Sequence, residues 1–184
     1  MNKSHLRKLA LELRGEVDLG PHEPFDPYQF AELYGIDIIP LSEVECSPEA
    51  ARHFLRDRQE VFSGALIPCS DGTTVIVEND AHVPERRVST ASHEISHVVL
   101  EHPFAATLTD SGRCRVMNKE HEAEATELGG ELLLPTEAAR RLAYYNVEDE
   151  EVARRFGISV QLASWRMNAT GARKIAKRAH AKRR

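Results

Sequence analysis

The sequence predicts an α+β fold with a small mixed or antiparallel sheet, and three observations predict it. Helix signals open the chain, short β-branched runs fill residues 36–77, and from Arg86 onward the pattern is helical without a break. Helices and strands are thus segregated, unlike the alternating βαβ units of a parallel-sheet fold. A chain of 184 residues suits one domain with one core. We take residues 1–171 as that unit and residues 172–184 as a basic tail with a solvated end.

Each element has its own signal. Leu6, Leu9, Ala10 and Leu13 form one stripe of a helix over 5–13. Asp26 followed by Pro27 is an N-cap with proline at the first helical position, opening a helix over 28–34 that Gly35 stops. Residues 36–39 read as a short strand, and Ser47-Pro48 opens a helix through Leu55. Residues 61–67 and 73–77 form a hairpin about Asp71-Gly72. Ser89 or Thr90 caps a helix that runs to Glu101 before Pro103, and a second runs over 119–134 to Pro135. Residues 136–145 make a third. Residues 148–156 with Gly157, then Ser159 capping 160–168, make a helix-turn-helix pair within the domain.

Hydrophobic residues are 41% of the chain, charged residues 29% and aromatics 6%, a balance that excludes disordered and collagen-like classes. The first residues carry charges every few positions, and no uncharged run approaches the roughly 20 residues that span a bilayer. The expectation is a cytoplasmic protein without a membrane partner. Cys46, Cys69 and Cys114 form no Cys-x-x-Cys pair and read as buried or idle thiols. The net charge of −5 conceals an asymmetry. Residues 173–184 hold seven Lys or Arg and no acid, leaving 17 basic against 29 acidic residues, a charge of −12, in the rest. An acidic body repels nucleic acid, so at most a weak contact through the tail is expected.

The chemistry concentrates in His93-Glu94-x-x-His97. Residues four apart on a helix lie about 40° apart, so both imidazoles can reach one metal. Glu94, rotated about 100° from His93, is poorly placed as a third ligand but well placed to contact a water on the metal. Two imidazoles and one carboxylate leave an ion such as Zn²⁺ an open position, which is what hydrolysis requires. Val88, Ala91, Ile95, Val98 and Val99 give the helix a packing side. The third ligand is expected from the helix over 119–134. Glu122 shares a face with Ala125, Thr126, Gly129 and Leu133 and points inward, whereas Glu124 lines up with Glu127, Leu128 and Glu131 on a face read as solvated. His121, flanking the inward face, remains a rival ligand or a supporting partner, and Glu120 is assigned to solvent.

His93-Glu94-x-x-His97, Glu122-x-x-Ala125 leading to Leu132-Leu133-Leu134-Pro135, and the segment 152–159 resemble the ImmA/IrrE family of zinc metallopeptidases. Phe25-Asp26-Pro27, Phe62-Ser63-Gly64 and the turn at 78–82 extend the resemblance over most of the chain. It implies a zincin-like fold in which His93, His97 and Glu122 bind one zinc ion and Glu94 is the general base. It further implies a protein substrate, a helix-turn-helix repressor whose cleavage switches on mobile-element or stress genes. Two departures stand out: Thr126 replaces the usual asparagine, and Gly129-Gly130 the usual Ala-Ala. Thr126 keeps a hydroxyl for a supporting hydrogen bond, and two glycines permit closer helix packing at about 1 kcal/mol each in helix propensity. His102 is read as a helix-end histidine or a substrate contact. Two other readings compete: a zinc-bound antirepressor or antitoxin-like module that binds without cutting, and a DNA-binding regulator using residues 148–184.

Overall fold

The computed structural model describes residues 1–69, 73–103 and 118–182. The Asp71-Gly72 turn and Cys114 lie outside them. Asn2 caps α1 (Lys3–Glu16) by accepting from the His5 N–H at 2.9 Å, and Leu6, Ala10 and Leu13 are buried along one stripe. Arg14 shares that buried side, where its guanidinium donates to the carbonyls of Leu132, Gly20 and Glu23. Burial lowers its pKa to about 10, so it stays charged at neutral pH. Asp26 caps α2 (Pro27–Leu33), and Gly35, at φ +65°, ends it as the sequence predicts.

The sheet is mixed. β1 (Asp37–Pro40) runs parallel to the central β3 (Thr74–Glu78), and β2 (Gly64–Pro68) pairs with β3 antiparallel. Between β1 and β2, Ser47 caps α3 (Pro48–Arg52), which continues as one π turn over His53–Asp57. Asn79, fully buried after β3, ties that stretch down by donating to the carbonyls of Phe54 (2.9 Å) and Phe62 (3.0 Å).

The helix α4 (Pro84–Val99) starts five residues before the expected Ser89 cap. Proline suits a first helical turn, and the N–H groups of Arg86 and Arg87 bond the Val83 carbonyl, so no capping hydroxyl is needed. Glu78, 1% exposed, accepts from Arg87 and from the Tyr28 hydroxyl (2.8 Å), fixing the sheet to α4 and α2.

Asn118 caps α5 (Lys119–Leu133), which packs against α4 at Gly129. A Cβ there would lie 3.1 Å from the Ser92 carbonyl oxygen, and the Ser92 hydroxyl donates to the Gly129 carbonyl at 3.1 Å. The opposite face of α5 is not solvated as expected. Glu127, Leu128 and Glu131 are buried, because α1 supplies Lys3 to Glu127 (2.7 Å) and Arg7 to Glu131 (3.3 Å). Beyond α5 come α6 (Thr136–Tyr144), α7 (Asp149–Phe156) and α8 (Val160–Ala169). Gly157 at φ +64° and the Ser159 cap turn α7 into α8 as predicted. Arg166 of α8 is fully buried, with Nη2 2.7 Å from Glu131 and its Nε and Nη2 donating to the Leu134 carbonyl.

The basic tail forms a ninth described helix, α9 (Ala172–Ala181), instead of a solvated end. Ala172 and Ala176 bury small side chains as it packs on α6 and α8, Arg173 pairs with Asp149, and His180 Nε2 lies 3.0 Å from the Tyr144 carbonyl oxygen. Basic residues share this helix with an apolar stripe that a count of charges conceals.

Burial alone would raise the Glu131 pKa, but Arg166 and the Thr136 N–H and hydroxyl outweigh it and hold it below the ordinary glutamate value of 4.5. Its contribution to stability is therefore complete above pH 4.5 and fades as pH falls through the depressed folded value. Removing the cation should cost more. Arg166→Ala leaves two buried glutamates facing its place, and urea unfolding is expected to show a loss of about 3–5 kcal/mol.

Candidate metal centre

The approach of α4 to α5 sets the geometry of one site. His93 and His97 stand one turn apart on α4, and Glu122 reaches them from the first turn of α5. The two Nε2 atoms are 3.1 Å apart, Glu122 Oε2 is 3.4 Å from that of His93, and Oε1 is 3.6 Å from that of His97. A tetrahedral ion with nitrogen and oxygen ligands at about 2.0–2.1 Å needs ligand atoms about 3.3 Å apart. The triangle fits. Among the described residues, these three form the group of His, Cys, Asp or Glu side chains that could hold a metal ion. His97 is 4% exposed, His93 28% and Glu122 21%, so access is from the side of His93 and Glu122.

Behind His97 lies a relay. Its Nδ1 is 3.0 Å from His102 Nδ1, and His102 Nε2 is 3.2 Å from Glu124 Oε2. Burial and the neighbouring His121 lower the His102 pKa, which favours a neutral ring. A proton on His102 Nε2 then donates to Glu124, and His102 Nδ1 accepts from His97 Nδ1–H. The His97 lone pair is left on Nε2, aimed at the triangle. His102 can reach back because Glu101 turns the chain at φ +51° and the His102 N–H bonds the His97 carbonyl at 3.1 Å.

The other expected residues take distinct places. Glu94 is 6% exposed and faces β2, its Cγ 3.6 Å from where a Cβ on Gly64 would lie. His121 stacks flat on His102, with centroids 4.3 Å apart, and so stands behind the relay. Thr126 is exposed and lines a small cleft beside His93, while Glu120 faces solvent as expected. Glu124, assigned to solvent, is 18% exposed and instead accepts from His102. No spacing rule reveals that pairing, since a left-handed turn creates it.

Residues 31–168 match the family model of the IrrE N-terminal-like domain of M78 peptidases. The chain belongs to that peptidase family. No curated protein matches it. The matched span runs from within α2 into the last turn of α8, so it contains the whole triangle, the relay and β2, while all of α1 and α9 lie outside it. The family's architecture here is the minimal zincin-like α+β arrangement. Among the described residues, no helix is long and apolar enough to cross a membrane.

Metal analysis tests both layers of the site. His93→Ala and Glu122→Ala are each expected to abolish stoichiometric metal binding. Glu124→Gln and His102→Phe should retain it with affinity lowered about 10–100-fold, measured by competition with a chromogenic chelator.

Proposed function

We propose that this protein is a zinc-dependent endopeptidase that hydrolyses a peptide bond in a helix-turn-helix transcriptional repressor, and so relieves repression of mobile-element or stress genes. The observation that carries the hydrolytic reading is the His93, His97 and Glu122 triangle with Glu94 beside it, turned toward β2, which pairs only with β3 among the described residues. Zinc held there would act as a Lewis acid and bring the pKa of a bound water to about 7. Glu94 is the general base that takes the proton of the attacking water and later delivers it to the leaving amine. The relay through His102 and Glu124 keeps His97 in the tautomer this requires. Repressor cleavage rests on the family resemblance.

The edge of β2 supplies a way to hold substrate. The bonds from Asn79 N–H to the Ser63 carbonyl and from Cys69 N–H to the Thr73 carbonyl fix the register with β3. In that register Ala65 and Ile67 face β3 with their backbone groups, whereas Gly64 and Leu66 direct theirs outward. An extended peptide can pair with those outward groups, placing its scissile bond near Glu94. The DNA-reading alternative loses its best residue, since Arg166 is fully buried among carboxylates and a carbonyl.

Glu94→Gln is expected to keep about one zinc per chain and lower cleavage by a factor of 10² or more, followed by gel analysis of a repressor encoded nearby. Biological effect surviving in that variant would transfer the function to binding without cutting. Leu66→Pro removes an outward N–H but no bond to β3, and should suppress cleavage while zinc content stays intact.

A further inference from the structure

A groove on the far side of His93 from the edge strand remains unused by that reading. Around α4, Glu94 and Thr90 face β2, His93 comes next, and Ser89 lies about 40° beyond His93 in the opposite sense. Ser89 and His93 open into a cleft of about 60 Å³ between α4, α5 and α8, walled by Ala125, Gly130, Leu162 and Trp165. Ser89, Leu162 and Trp165 also line a larger groove of about 1150 Å³ that continues between the start of α4 and the α7–α8 turn. The two are therefore joined at a wall they share.

The wall is apolar and built. Trp165, 39% exposed, lies over Gly130, where a Cβ would meet its indole at 3.1 Å, and the buried Arg166 guanidinium sits 5.5 Å from the ring centroid. Val83 at 63% and Val160 at 45% add exposed apolar surface along the larger groove. Its charged lining residues, Glu85, Arg86, Glu150 and Arg154, carry both signs, so the groove selects little by charge. Beside His93 the lining is uncharged apart from the histidine itself, offering only the hydroxyls of Ser89 and Thr126.

Resting on the peptidase reading above, we propose that this groove is the substrate's second grip: an extended peptide held on β2 crosses His93 and lodges an aliphatic or aromatic side chain, adjacent to the scissile bond, against Leu162 and Trp165. The occupant is the substrate peptide because the cleft includes His93 itself, so a chain leaving the triangle on this side enters it directly. The helix-turn-helix pair then reads a peptide side chain, and α8 presents Trp165 and Leu162 where a DNA reader would present polar groups. A charged residue at that substrate position would be desolvated against an apolar wall and disfavoured.

Metal-anchored probes separate this proposal from the reading it rests on. Zinc-loaded full-length protein is titrated by calorimetry with succinyl monohydroxamate and with its isobutyl-substituted analogue, which differ only in the group offered to the groove. The isobutyl compound is expected to bind at least about tenfold tighter. It should also shift the emission of Trp165, the chain's sole tryptophan. Trp165→Ala and, as an independent variant, Leu162→Glu should each collapse the affinity ratio at unchanged zinc content, while Trp165→Phe preserves it. Equal affinities, or a ratio indifferent to these variants, overturn the groove and leave the zinc site standing. Failure to bind zinc or either hydroxamate overturns the peptidase reading, and the groove with it.

Discussion

Everything at the candidate centre depends on how closely two helices approach. The Ser92 carbonyl of α4 and the Gly129 backbone of α5 sit where an ordinary side chain would hold them apart, and the Ser92 hydroxyl closes the contact. That distance carries Glu122 to within 3.4–3.6 Å of two imidazoles anchored on the other helix. Two consecutive glycines weaken α5 as an isolated helix by about 2 kcal/mol. The loss is offset by packing on both faces, and the second glycine has its own use beneath Trp165.

The same helix carries the fold's buried electrostatics. Glu127 and Glu131 meet Lys3 and Arg7 from α1 and Arg166 from α8, so a face that reads as solvated is an internal junction of three helices. Such a network is costly to desolvate and contributes less net stability than its ion pairs suggest. Its stronger effect is on register: each carboxylate has specified partners, and a shifted helix would leave one uncompensated. The triangle on one side of α5 is thus indexed by charges on the other.

Much of this was legible in the sequence because it obeys local periodicity. The spacing of His93 and His97, the inward face of Glu122, the Asp26 and Ser159 caps and the stops at Gly35 and Gly157 follow from one element's geometry at a time. What escaped depends on two elements at once. Glu124 looks exposed until a left-handed residue folds His102 back over it, and nothing local shows that Arg166 is buried against the carboxylates of α5. The tail looks solvated because charges outnumber the two alanines that dock it. Proline replaced a capping hydroxyl at the start of α4, which is why Ser89 and Thr90 fell inside the helix and could become walls of the groove and the strand interface.

The brevity of β2 has a further consequence. An open sheet edge invites any extended chain, including another copy of the same protein, and long flat edges are where aggregation begins. Among the described residues no strand lies on the outer side of β2, which ends at Pro68 with no N–H to offer and has Gly64 and Leu66 as its preceding outward positions. So short a strand, closed by a proline, is a poor template for a fibre. It can still register a peptide that gains additional hold elsewhere, so promiscuous self-pairing is suppressed by the same economy of hydrogen bonds that makes a visiting chain depend on a second foothold.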